Sequence, residues 1–229
     1  MTLDEAIRAT EILLALAFLQ SSLEHMALHR EDRSLFLPRL ALSALLLAGF
    51  EPGLMIWGLF LHALVLLHRY QGPYNGGSDK MGLLILFCLS MAHLAPSDLW
   101  REMALGYLAV QVVLSYFISG QVKIANPDWR SGRALSDVFL FSAYPVSEGL
   151  RALAFRPRLF RTGSWAVMLF EVAFPLALLH PVLLIAALVI AVMFHLANAV
   201  LFGLNRFVWI WIASYPSILW LQDRLIGAA

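Results

Sequence analysis

The chain has 229 residues, of which 61% are hydrophobic and 14% charged, with a formal net charge of +1 and a mean hydropathy of +0.77. A water-soluble domain of this length needs far more charged surface, so that class is excluded. The chain also has no basic aromatic patch of the kind that binds nucleic acid. Its one cysteine, Cys88, lies inside an apolar run, so there is neither an intramolecular disulfide nor a CxxC pair.

The opening stretch "MTLDEAIRAT" is acidic and amphipathic, without the basic start and small-residue cleavage site of a signal peptide, so the first helix is expected to be retained. Apolar runs then predict helices over 5–27, 35–49, 52–69, 80–96, 99–124, 160–179, 182–202 and 206–222. The expectation is an all-α, polytopic transmembrane bundle, with residues 1–229 forming a single membrane domain and no soluble domain. It has about eight spans, or seven if 35–69 is one helix kinked at "EPG". Lysine and arginine placement arbitrates, because cytoplasmic loops carry the excess. Eight spans put thirteen basic residues on one side, leaving Arg8, Arg101 and Arg224 on the other; seven spans give an 11 to 5 split. The eight-span reading places both termini outside.

The connection from 125 to 159 is the largest segment that does not span. Within it, "RALSDVFLFS" and "PVSEGLRALAF" predict short amphipathic helices at 131–155, lying at the interface or re-entering. "RPRLFR" follows as a basic anchor for anionic headgroups.

Ionisable residues inside lipid are costly unless paired or wet, which makes each a functional candidate. Tyr107, Gln111, Ser115, Ser119 and Lys123 recur every four residues on the fifth helix, in a row that spirals about 40° per step. Such a row is either a packing seam or a site, and Lys123 at its end is either a snorkelling anchor or a base. Glu11, Gln20, Glu24, His62, Glu171, His195 and Asn198 are the other intramembrane polar groups. Glu11 is deep enough to need a partner such as an arginine. His195 and Asn198, three apart, share a face and can form a core pair, a proton shuttle or a substrate clamp. Pro175 loosens the backbone one turn after Glu171, as happens where a cavity is lined. With no HExxH or paired CxxC, no metal is expected.

"YFISGQVKIANPDWRSGRAL" (116–135) resembles the signature of the horizontally transferred transmembrane domain proteins, the superfamily that includes the vitamin K-dependent γ-glutamyl carboxylase. The matching features are an aromatic pair, a small residue and Gly, a Lys, then Trp and Gly. "YNGGSDKM" (74–81), "FEVAFPLALL" (170–179) and "FHLANAVLFGLNRFVWIW" (194–211) agree in order, the last with a His-x-x-Asn-x-x-Leu-Phe run. The resemblance implies that Lys123 acts as a base toward a reduced, vitamin K-like quinone, or toward an acidic C–H of a peptide or small substrate. His195 and Asn198 would polarise or orient that substrate, and Tyr116, Ser119, Trp129, Gln111 and Glu171 are the substrate-binding candidates. An amine desolvated by apolar neighbours can be kept partly uncharged, which suits a base.

The long luminal C-terminal region of the animal carboxylase is expected to be missing here, which argues against protein γ-carboxylation of that kind. The chain has "YNGGSDK" where that enzyme has an asparagine–histidine–aromatic run. Its charge pattern also puts Lys123 near the cytoplasm rather than the lumen. The expected setting is the bacterial cytoplasmic membrane, with lipid, a lipid-soluble quinol and a peptide or small molecule as partners. Two other readings stay open: a non-catalytic accessory or binding subunit in the maturation of an exported peptide, and a small transporter. The transporter reading lacks the expected repeated halves.

Overall fold

The computed structural model describes residues 1–70, 77–141 and 148–227. These are all-α, with no strand among the described residues. The helices are α1 (Leu3–Leu28), α2 (Arg33–Ala48), α3 (Pro52–Arg69), α4 (Gly77–Leu94), α5 (Asp98–Ala125), α6 (Pro127–Ser131), α7 (Arg133–Phe141), α8 (Glu148–Arg151), α9 (Pro157–Ala173), α10 (Pro181–Phe202) and α11 (Asn205–Ile226). Five segments are long and apolar enough to cross a membrane: α1, α3, α5, α10, and α9 with the 3₁₀ turn that follows it to Leu179. The protein is an integral membrane protein. The exposed face of α10, including Val182, Ile185, Val189 and Met193, meets lipid. The expected spans at 35–49, 80–96 and 206–222 exist as helices, but they fall short by length or polar content. α2, for example, has 16 residues, about 24 Å against a hydrocarbon core of about 30 Å.

Residues 35–69 form two helices, not one kinked helix. α2 ends at Gly49, whose φ of 80° is the left-handed conformation only glycine adopts cheaply, and Glu51 follows at φ 37° before Pro52 starts α3. Arg8 fastens the turn, its guanidinium donating to the Leu46 and Leu47 carbonyls at 3.0 and 2.9 Å.

The chain divides into two compact units with a boundary inside α5: Met1–Val110 with Arg206–Ala229, and Gln111–Asn205. In the first unit α1 packs on α2, α2 on α3 and α3 on α4, around Leu14, Leu46, Ile56, Ile85 and Leu89. α1 starts at a capping box: the Glu5 amide donates to the Thr2 hydroxyl, and the Thr2 amide to the Glu5 carboxylate. Lipid is as apolar as leucine, so burial alone drives helices together weakly in a bilayer, and polar contacts matter more. Glu11 carries several of them. It is 2% exposed, accepts from Arg8 at 3.0 Å and meets the His93 ring at 2.6 Å. The arginine partner expected for Glu11 is therefore present, and His93 joins it.

In the second unit, α7 is the first predicted amphipathic helix. Its Phe139 is buried with Ala154 and Phe160, while Phe141 is 81% exposed. The second predicted helix lies partly outside the described residues; its described part is α8 and a 3₁₀ turn over Ala152–Phe155. α9 ends at Ala173, where Pro175 forces the tighter 3₁₀ turn over Phe174–Leu179.

Candidate functional site

α5 runs unbroken to Ala125, which places Lys123 in its last turn, where the helix carbonyls favour a cation. The Asn126 side chain then accepts from the Asp128 amide, and Pro127 starts α6, so the chain turns sharply beside the lysine. Gly132, at φ 84°, closes α6. A Cβ at this position would lie 2.6 Å from the Arg161 amide nitrogen, so only glycine lets α6 settle on α9. Two hydrogen bonds hold it there: the Ser164 hydroxyl donates to the Trp129 carbonyl at 2.5 Å, and the Trp165 indole donates to the Arg130 carbonyl at 3.1 Å.

This arrangement surrounds the Lys123 ammonium. It donates to both oxygens of Glu171, at 2.5 and 2.6 Å, and to the Ser119 hydroxyl one turn back at 2.9 Å. Trp129 presents its ring at 5.3 Å, within cation–π range. The Glu171 side chain is 4% exposed and that of Lys123 17%, so the carboxylate is sealed in while the amine keeps a narrow opening. Gly120 makes the pairing feasible. A Cβ there would lie 2.8 Å from the Val172 amide nitrogen and 2.9 Å from the Glu171 Cβ, so α5 and α9 touch backbone to backbone one turn before the lysine.

Two turns before Lys123, about 10 Å along the axis, Tyr116 forms a second cluster on the same helix. Its ring stacks on Phe174 at 4.2 Å and meets Phe170 edge-on at 6.1 Å, and its hydroxyl hydrogen-bonds His195 Nε2 at 2.8 Å. Tyr116, Phe174 and His195 are buried.

The structure thus gathers Lys123, Glu171, Ser119 and Trp129 into one group and Tyr116 with His195 into another. Gln111 and Asn198 are half-buried, and their side chains make no hydrogen bond among the described residues. The Asn198 backbone carbonyl accepts from the Leu204 amide where α10 ends. The four-residue row on α5 splits: Tyr107 is exposed, and the Ser115 hydroxyl turns back to the Val112 carbonyl. Sequence reasoning included Gly120, Phe170 and Phe174 in its matching stretches but gave none of them a role in the site. The two phenylalanines flank Glu171 in "FEVAF", one helical turn apart, and that spacing was the available signal.

Comparison with known proteins adds one match: the family model described as HTTM domain covers residues 94–222, more than half of the chain. No curated protein and no solved structure matches.

Proposed function

The chain belongs to the HTTM domain family, and from that premise we propose that it is a membrane enzyme in which Lys123 removes a proton from a reduced quinone or from an acidic C–H of a peptide or small substrate. The observation that carries this reading is the Lys123–Glu171 pair beside Trp129. An ammonium is no base, so the amine must first give up a proton, and Glu171 is positioned to take it across 2.5 Å. In a site this poor in water, the charged pair and the neutral pair differ far less in energy than they do in solution, because desolvation penalises both charges. The neutral amine then accepts the substrate's proton, and the new ammonium stays beside the substrate anion, braced by Ser119 and the Trp129 ring.

The residues fit an aromatic ring. The half-buried Trp129 indole offers a flat apolar wall next to an amine that keeps 17% exposure. A reduced quinone supplies an acidic O–H there. Tyr116 and His195 are a second proton-bearing pair on the same helix. The proposed setting is a bacterial cytoplasmic membrane, with eight helices crossing and both termini outside. The firm ion pair also supports a non-catalytic reading, an accessory subunit of peptide maturation in which Lys123 and Glu171 only hold α5 to α9.

Lys123→Arg separates the two readings, because arginine keeps the charge and the pair but cannot be deprotonated in a protein. Catalysis predicts loss of activity with an unchanged unfolding midpoint; an accessory role predicts that both survive. Isoprenoid quinone in organic extracts of the purified chain, read by ultraviolet absorbance and mass spectrometry, is expected from wild type and depleted by Trp129→Ala. Equal amounts from the two would argue against quinone binding at this site.

A further inference from the structure

The first unit contains a cavity of about 380 Å³ that the Lys123 chemistry does not use, lined by α1, α2, α3, α4 and the start of α11. The volume is at the small end of natural ligand pockets. One wall is aliphatic: Leu59, Ala63, Leu66 and Leu67 from α3, with Leu83 from α4. The other wall is dominated by Arg39, which is 8% exposed. Its guanidinium lies between two aromatic faces, 4.7 Å from the Phe36 centroid and 5.3 Å from that of Phe18. Its Nε and Nη2 donate to the hydroxyls of Ser22 and Ser21 at 2.7 and 2.9 Å, while Nη1 makes no hydrogen bond among the described residues.

No carboxylate among the described residues is within ion-pair distance of Arg39. The serine hydroxyls orient the guanidinium without neutralising it, Asp79 attracts it only from a distance with Arg206 opposing, and a buried arginine without a directly paired carboxylate is expensive. Arg206 also lines the cavity, and so do two acids, Asp32 and Asp79. Asp32 is held by the His25 ring at 3.1 Å, and Asp79 makes no direct ion pair with Arg39 but acts on it through space. The aromatic sandwich leaves the guanidinium edge as its polar surface, and that edge matches an oxyanion in geometry.

We propose that this cavity binds a single-chain anionic amphiphile: a carboxylate or phosphate head on Arg39, and one hydrocarbon tail along the α3 aliphatic wall. The volume suits one tail, not two. The site is separate from the Lys123 chemistry and does not depend on it.

The test uses the full chain in phosphatidylcholine nanodiscs, photolabelled with dodecanoate carrying a terminal diazirine and mapped by mass spectrometry. Label is expected on α3 between Leu59 and Leu67. Dodecanoate and dodecyl phosphate should compete it away, and a preference between them identifies the head group. Dodecanol and inorganic phosphate should compete for neither. Arg39→Gln should weaken labelling at least about tenfold, and Ala63→Phe, which fills the cavity and leaves every charge in place, should do the same. If Arg39→Gln fails to fold, the Ala63→Phe arm decides. Competition by dodecanol equal to that by dodecanoate would overturn the role of Arg39, and competition by inorganic phosphate would overturn the role of the tail. Label spread along the lipid-facing side of α10, or unchanged in both variants, would overturn the site itself.

Discussion

Truncating Lys123 to alanine strands Glu171 as an unpaired carboxylate behind a nearly closed surface. Breaking a buried pair from one side costs about 3–5 kcal/mol, so Lys123→Ala should lower the thermal midpoint as well as abolish activity. Glu171→Gln is the gentler probe: it keeps the shape and a hydrogen-bond acceptor but removes the proton store. A general base supplies about 10²–10⁴-fold in rate, and Glu171→Gln should lose a large share of that with the helix content unchanged by circular dichroism. Activity at the wild-type level in Glu171→Gln would remove the carboxylate from the chemistry.

Outside the membrane, the Asp32 carboxyl is held below its ordinary range by the Tyr70 hydroxyl first and the His25 ring second. A depressed carboxylate contributes stability above its unfolded value, near pH 4, and loses it as pH falls through the folded value. Asp32→Asn should therefore lower the unfolding midpoint at pH 7, where that contribution is present in full, and flatten the acid limb below about pH 4, so that variant and wild type converge there. An acid limb identical to wild type would show that these contacts contribute nothing.

At the scale of elements, two glycines decide where the lysine sits. Gly120 allows α5 against α9, and Gly132 allows α6 against α9. Gly120→Val has to push apart two backbones whose contact leaves no room even for a Cβ, and the displacement falls one turn from the Lys123–Glu171 bond. Overpacking of this kind costs about 1–3 kcal/mol. The expected signature is a lowered midpoint together with lost activity, whereas Gly163→Ala, where an added Cβ has an ordinary 3.6 Å contact, should change neither. Equal effects from both substitutions would contradict the close-approach account.

The sequence made Lys123, Glu171 and Trp129 visible for a plain reason: charged and aromatic residues in or beside apolar runs stand out. Pro175 likewise marked the end of α9 as an α-helix. Partner choice was not visible in the same way. Glu171 read as a buried acid and a substrate-binding candidate, and it proved to be the mate of Lys123; nothing in one chain says which helices face each other. Gly120 and Gly132 entered only as points of resemblance, without a packing role, because a required glycine differs from an incidental one only through what approaches it. Arg39 was counted as a topological charge, and only the fold shows it buried between Phe18 and Phe36.

At the scale of the whole molecule, five helical segments are long and apolar enough to cross, and α2, α4 and α11 decide the topology. The eight-span proposal puts the 125–159 connection on the cytoplasmic side. Single cysteines at Arg158 and at Thr2, introduced with Cys88 replaced by serine, should react with an impermeant maleimide from opposite sides of sealed vesicles. Labelling of both from the same side would reverse one of the disputed helices.

The base itself can be tested by oxygen uptake. A deprotonated hydroquinone is consumed by oxygen much faster than a neutral one, so the purified chain in nanodiscs supplied with chemically reduced menaquinone reports proton removal directly. Wild type should accelerate uptake well above protein-free nanodiscs, and Lys123→Arg should fall to that background while unfolding at the wild-type temperature. Uptake by Lys123→Arg equal to that of wild type would contradict the assignment of Lys123 as the base.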